Sequence, residues 1–489
     1  MKTVLVVDCV PATPHTETSL ELLYRAAEDG SRVVFFPAYL SGLGIEWPER
    51  SRLGRLAEHH VIRCAEPRIL ALAGRVGEVF RTKVLDRERL PDCAAVTSID
   101  QLKALRLHGY DFGLAVASSL ISHLRWPRPD FGLKRVDREY RRLWRLANQA
   151  HVLAQEVLER TEPQEIIVFN GRYGSTRPFL RAAELLGIAC RIHERGANFR
   201  RFQLYDFPPH HIDRLGAYVR ERASHVDDAM IREEGTRFFR LRRSGAEQSW
   251  TSFVKGQQRG RIVERLPPGF VTFFSSSDDE FEAISEKAAR GPFGNQRETI
   301  ETLRSVCRRL GLPLVIRLHP NLATIHPKEA AYWLALADGR EVIVVPPDSA
   351  TDTYTLLERS STVLSFGTTV GMEATFWRKP SILLGPAVYR GSGVCYEPVT
   401  PQELESLLSA QVPPRETSPA LRFGWYFQTF GEPYRYYQPE DLFHGRFMGV
   451  KVFEQSLILK ILLGVKAGLR VASSLVRGGS LSSISTRAE

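Results

Sequence analysis

What most constrains this chain is an alternation of short apolar runs with helical patterns that proceeds, stops and then starts again. Val4–Val7 precedes a helical stretch at Ser19–Ala27 and a second strand at Arg32–Phe36. Further on come a long helical stretch at Val136–Arg160, a strand at Glu165–Phe169, a helix at Arg177–Leu186 and a strand at Ile188–His193. Strands spaced by helices in this way predict a parallel sheet covered on both faces. A charged passage, Arg237–Arg265, then ends in Leu266-Pro-Pro-Gly269, where proline and glycine punctuate the chain. The rhythm resumes with strands at Phe270–Phe274, Pro313–Leu318, Glu341–Val345, Thr362–Phe366 and Ser381–Leu384. Helices at Glu298–Leu310, Thr353–Arg359 and Val370–Trp377 separate them. The expectation is an α/β chain of two doubly wound, Rossmann-like domains with a cleft between them, binding ligands at the carboxyl ends of strands. The expected divisions are an N-terminal domain over 1–250, a linker over 251–269, a C-terminal domain over 270–445, and a basic amphipathic helix with a Ser-rich tail over 446–489.

Composition narrows the class. A length of 489 residues exceeds what one core usually organises. Six scattered cysteines show no Cys-x-x-Cys or Cys/His ligand spacing, so neither zinc nor a disulfide framework is expected and a reducing cytoplasm fits. The N-terminal apolar run reaches Asp8 too soon for a signal sequence, and no apolar run approaches the ~18 residues of a membrane span. The formal charge of +10 suits phosphate-bearing partners, and equally a compositional bias. Nucleic acid is not expected, because the basic residues are dispersed and no aromatic–basic module appears.

Three loops at strand ends in the second half carry the chemistry. Ser365-Phe-Gly-Thr-Thr-Val-Gly-Met-Glu-Ala374 leads from a strand straight into a helix. Gly367 and Gly371 let the backbone approach a ligand, Thr368 and Thr369 offer hydroxyls, and the helix start favours an anion. The alternative is an ordinary threonine N-cap. Arg317-Leu-His-Pro-Asn321 presents His319 at a strand end, with Pro320 fixing the loop. An imidazole there donates a hydrogen bond to a phosphate or a proton to a leaving nucleotide. Ser275 and Ser276, in the third loop, suit phosphate or sugar contacts, while the acidic triplet Asp278-Asp279-Glu280 suits a helix start.

His319-Pro320 and Thr368-Thr-Val-Gly-Met-Glu-Ala374, with Lys379-Pro380 and the strand beyond, resemble the bacterial capsule polysaccharide biosynthesis glycosyltransferases. The resemblance covers roughly Phe270–Glu397. It implies a GT-B fold, a nucleotide-sugar donor and a glycan or lipid-linked acceptor, with His319, Thr368 and Thr369 holding the donor phosphate and Glu373 near ribose or sugar. Thr368 stands where the family motif begins with serine, a mild departure.

The acceptor and the catalytic base then fall to the N-terminal half. Glu194, in His193-Glu-Arg-Gly196, is the candidate base, with Asn170 and Arg172 on the same edge. The alternative for Glu194 is an ion pair with Arg195 or Arg191. Asp8, ending the first strand, and His15 and Glu17, in the loop beyond, are weaker candidates. No metal is expected, since no Asp-x-Asp stands beside the donor motifs. Val452–Val476, with Lys460, Lys466 and Arg470, reads either as a peripheral contact with an anionic membrane or as a packed final helix. A sugar-nucleotide epimerase and a non-catalytic polysaccharide assembly or export component are the competing functions. The donor, the acceptor, the stereochemical outcome and the oligomeric state are not legible.

Overall fold

A computed structural model describes residues 1–48, 52–82, 90–246, 248, 252, 254, 256–284 and 289–454. The N-terminal sheet contains β1 (Thr3–Asp8), β2 (Arg32–Pro37), β3 (Glu78–Val79), β4 (Glu165–Phe169), β5 (Ala189–Arg195) and β6 (Arg201–Tyr205). The C-terminal sheet contains β7 (Val271–Phe274), β8 (Leu314–Arg317), β9 (Val342–Val345), β10 (Val363–Ser365) and β11 (Ser381–Leu383). A further strand, β12 (Glu432–Pro433), closes the first sheet. The orders are β12-β6-β5-β4-β1-β2-β3 and β11-β10-β7-β8-β9.

All pairings in the second sheet are parallel. In the first, β5–β6 and β6–β12 are antiparallel and the others parallel. Val-Leu-Val-Val in β1 and Val-Thr-Phe-Phe in β7 are buried along their whole length, as strands covered on both faces must be. In each sheet the first strand is central, and later strands add to one side and then to the other. The point where the order reverses lies between β1 and β4 in one domain and between β7 and β10 in the other.

The chain exchanges segments between its domains, which corrects the expected boundaries. Helices Ile212–Ser224 and Asp228–Ser244, expected within the N-terminal domain, pack instead on the C-terminal one. Val219, Ile231, Phe238 and Phe239 share a core with Met372, Leu383, Tyr389 and Phe423. After helix Ser418–Thr429 the chain returns: Glu432 pairs with Phe202 in the first sheet. Tyr437, Phe447 and Val452 then join the core of Leu20, Leu23 and Phe35. The buried carboxylate of Glu21 fixes this return by accepting the N–H groups of Arg435, Tyr436 and Tyr437 at 2.8, 2.9 and 3.1 Å. The N-terminal core thus reaches past 445. The expected amphipathic helix from 455 onward lies outside the described residues.

All six cysteines are unpaired. Among the described residues, no helix is long and apolar enough to cross a membrane.

Candidate functional site

The loops after β7, β8 and β10 converge on one cavity of about 330 Å³. Its walls include Ser275, Ser276, Arg317, His319, Pro320, Thr368, Thr369 and Glu373, together with Arg242, Tyr354 and Phe281. Sheet register makes the convergence. Phe274 pairs with Arg317 and with Ser365, so the residues just beyond emerge side by side at the reversal point.

His319 is set by two bonds. Its N–H donates to Ser275 Oγ at 2.9 Å, and its Nδ1 accepts the Asn321 N–H at 3.2 Å. An accepting Nδ1 puts the ring proton on Nε2, a donor. Burial, with Arg242, Arg317 and Arg125 nearby, lowers its pKa to about 4, so the ring is neutral near pH 7 and offers a hydrogen bond rather than a titrating acid. Arg317 is 3% exposed. One of its nitrogens bonds the Pro346 carbonyl, while Nε and Nη2 have no partner among the described residues. Burial lowers its pKa to about 10, which still leaves it charged. A buried cation with unmet donors is costly unless a ligand completes it.

Arg242 was not anticipated. It lies in the charged passage that resembles a linker, and the exchange of helix Asp228–Ser244 between domains carries it to the cavity. Its Nε donates to Glu373 Oε1 at 3.1 Å and its Nη2 to Thr369 Oγ1 at 3.2 Å. Burial opposes its charge, but Glu373 and Tyr354 outweigh that and raise its pKa. Thr369 also donates to Glu373 Oε1 at 2.8 Å, and Tyr354 Oη donates to Oε2 at 2.5 Å. Both oxygens of Glu373, a residue 3% exposed, are therefore taken. Glu373 lines the cavity with its carboxylate held by Arg242, Thr369 and Tyr354. Phe238 and Phe239 mark an apolar helical face four and three residues before Arg242; that was the available signal.

The two glycines of this loop do different things. Gly367 sits at φ +62°, and a Cβ there would meet the Phe281 ring at 2.6 Å. Gly371 faces inward and does not line this cavity; a Cβ would meet Tyr389 Oη at 2.4 Å and Ser365 Oγ at 2.6 Å. The ligand approach expected of Gly371 is replaced by a packing requirement. The helix Val370–Phe376 is only seven residues long, so the fixed positive charge comes mainly from the arginines.

A second cavity, of about 480 Å³, opens on the other side of Glu280 and Phe281, which line both. It is bounded by Trp47, Arg125, Arg172, Tyr173 and His210 of the N-terminal domain. Asn170 Nδ2 donates to Glu194 Oε1 at 2.6 Å and lies 2.9 Å from His210 Nε2. Burial raises the Glu194 pKa to about 7, against the opposing pull of Asn170, Arg172 and Arg195. Arg191 bridges to Glu165 instead. Asn170, Arg172 and Glu194 are thus brought together. Glu17 is not. It begins helix His15–Glu28, one turn earlier than the Ser19 start expected, and is 1% exposed. Its Oε1 accepts from Thr13 at 2.8 Å, and Oε2 has no partner among the described residues. The acceptor-side place expected for Glu17 is replaced by a buried one. Asp8, also 1% exposed, lines none of the three cavities described.

Two Rossmann-like domains, with a cationic cavity at the reversal point of one and a carboxylate at the strand ends of the other, define a GT-B-like α/β protein. Residues 285–417 match the family model described as capsule polysaccharide biosynthesis protein. The resemblance carried by His319-Pro320 and the Thr368–Ala374 motif therefore holds for the segment containing them. No curated protein sequence matches the chain.

Among solved structures, it is similar to the β-Kdo 2,4 transferase of Thermosulfurimonas dismutans KpsC. That match has 13% identity and a TM-score of 0.36, over 53% of this chain and 78% of the other. Acinetobacter baumannii MurG is 11% identical over 88% of this chain and 96% of its own, with a TM-score of 0.26. The Methanocaldococcus jannaschii UDP-GlcNAc 2-epimerase, in complex with UDP-GlcNAc and UDP, is 10% identical over 86% and 98%, with a TM-score of 0.29. Likenesses this distant assign no activity.

Proposed function

We propose that this chain is a glycosyltransferase of surface polysaccharide biosynthesis, moving a sugar from a nucleotide-activated donor to a glycan or lipid-linked acceptor. One observation carries the reading: Arg242, Arg317 and His319 line a single cavity at the carboxyl ends of three parallel strands. Such a cavity suits a phosphorylated leaving group, whose developing charge fixed donors stabilise without reorganisation. Arg242 and Arg317 neutralise the phosphate and His319 donates to it. Ser275, Thr368 and Thr369 hold these groups and the loop in register.

On the acceptor side, Glu194, held by Asn170 beside His210, takes the proton from the acceptor hydroxyl as that oxygen attacks the anomeric carbon and the nucleotide departs. Asn170 and His210 orient it. A carboxylate whose pKa lies near 7 is matched to this task. We also propose that no metal is required, because side-chain cations supply the charge a divalent ion would otherwise bring. The unpaired cysteines favour a cytoplasmic location.

The test is a thermal-shift screen of the whole chain against CMP-, UDP-, GDP- and CDP-sugars, since a ligand of the native state raises its melting point. Turnover of the best donor is then measured with and without added acceptor glycans. A shift that is lost in His319→Ala supports the reading. Donor consumption without any acceptor would point to an epimerase instead, and no shift with any donor would overturn the assignment.

A further inference from the structure

A third cavity, of about 1190 Å³, is the largest of the three described and has no part in the chemistry above. Its main wall is one face of helix Lys134–Thr161, where Arg135, Arg138, Arg141 and Arg145 are all exposed. Residues three and four apart share a helix face, so these side chains form a row along roughly 15 Å of axis. The opposite wall comes from the C-terminal domain, at Thr324–Pro327. Arg141 is paired with Asp137. Arg138 and Arg145 have no carboxylate partner among the described residues. Glu139, paired with Arg142, and Asp92 also line the groove, but the arginines outnumber them.

The groove also leads somewhere. Pro48 lies in its wall and Trp47 in that of the acceptor-side cavity; His123 and Leu124 lie in the groove and Ser122 and Arg125 in that cavity. The two spaces thus abut along the Trp47–Pro48 loop and the end of helix Phe112–Leu124. We propose that this groove holds the body of an anionic acceptor glycan, bearing carboxylates or phosphodiesters at regular intervals, with its growing end at Glu194. The inference rests on the transferase reading. Charge complementarity and continuity with the acceptor side favour a glycan over the alternatives. A lipid surface is flat where this site is a trough, and the ring of Trp126 beside it is 4% exposed and stacked on His326 at 3.8 Å, so it is not open to a base.

The test uses the whole chain and fluorescently labelled hyaluronan oligosaccharides, glycerol-phosphate oligomers and uncharged chito-oligosaccharides of matched length. Anionic oligomers should bind with an affinity that falls as salt rises, and the uncharged ones should not bind. The ranking of the two anionic series separates carboxylate from phosphodiester. Arg138→Gln/Arg145→Gln should bind about tenfold more weakly, as the loss of two partly exposed charge contacts allows. Its melting point and donor-induced thermal shift should match the parent's. Equal binding by parent and variant, or no anionic glycan binding by the parent, overturns the proposal. So does binding of a short single-stranded DNA or of phosphatidylglycerol vesicles that depends on the two arginines when glycan binding does not. A donor-induced shift in the same preparation would show that the transferase reading survives such a result, whereas its absence would count against that reading separately.

Discussion

Arg242 and Glu373 join at 3.1 Å although they are 131 residues apart in the chain. The carboxylate is almost wholly buried and the arginine about one third exposed, so the pair presents its positive partner to the cavity and hides the negative one. Removing the cation outright strands a buried charge, at a cost of about 3–5 kcal/mol. Arg242→Lys keeps the charge and loses the forked geometry. It should fold with a melting point near that of the parent and bind donor about tenfold or more weakly, as titration of a nucleotide sugar would show. Unchanged donor affinity would remove Arg242 from the site.

His319→Ala should lower turnover strongly while leaving the fold intact. Loss of one fixed donor to a developing anion is worth roughly 2–4 kcal/mol in the barrier. His319→Gln, whose amide can still donate, should recover part of that loss. Steady-state rates at saturating donor decide it, and near-normal turnover in His319→Ala would sink the role.

Glu194→Gln keeps shape and removes the basic oxygen. Transfer should fall by roughly 10²–10⁴ with donor affinity close to the parent's. The sign of the pH effect follows from the raised pKa: the carboxylate form is required, so the parental rate should climb as pH rises and level off above about 7. That limb should be missing from the residual rate of the variant. If Glu194→Gln retains both its rate and the limb, the base is elsewhere.

Turnover should withstand a chelator, since Arg242 and Arg317 carry the opposing charge. The check is the rate after exhaustive treatment with EDTA. A collapse reversed by Mg²⁺ or Mn²⁺ would show that a metal shares the phosphate.

Glu17 offers a prediction about stability rather than catalysis. Burial raises its pKa from 4.5 to about 7, so the folded state holds a proton that the unfolded state has released between those values. This contribution is present at low pH and lost as pH rises through about 7. Glu17→Gln should melt close to the parent near about pH 5 and above it near about pH 8, the gap reflecting about 1.4 kcal/mol for each tenfold difference in proton affinity. Parallel melting curves across that range would show the carboxyl to be hydrated in solution.

What the sequence disclosed and what it withheld follow from locality. The strands and the His319 and Thr368–Thr369 loops were legible because a doubly covered strand must be apolar throughout and its carboxyl end must turn. Arg242 was not, because the reach of helix Asp228–Ser244 depends on which domain it packs against. The inward turn of Gly371 depends on Tyr389, eighteen residues away, and the burial of Glu17 on a helix that starts one turn earlier than its apolar pattern suggests. The arginine row was present as residues 135, 138, 141 and 145 of a helix already recognised. Its meaning came only with the opposing wall.

The return of Glu432–Val452 to the first sheet bears on any attempt to take this protein apart. A cut near 250 or 270 would strip helices Ile212–Ser224 and Asp228–Ser244 from the core they cover, and would leave Phe239 and Met372 facing water on separate fragments. Neither half would be a folding unit. A workable dissection must instead treat the chain as an inserted module: roughly 207–430 forms one body, and 1–206 with 431–454 forms the other. Two backbone crossings connect them and the seam is latched as well, by Ala283 in the core of Leu102 and Phe112 and by Arg125 against Asp279 at 2.6 Å, so even this dissection must cut through packed contacts.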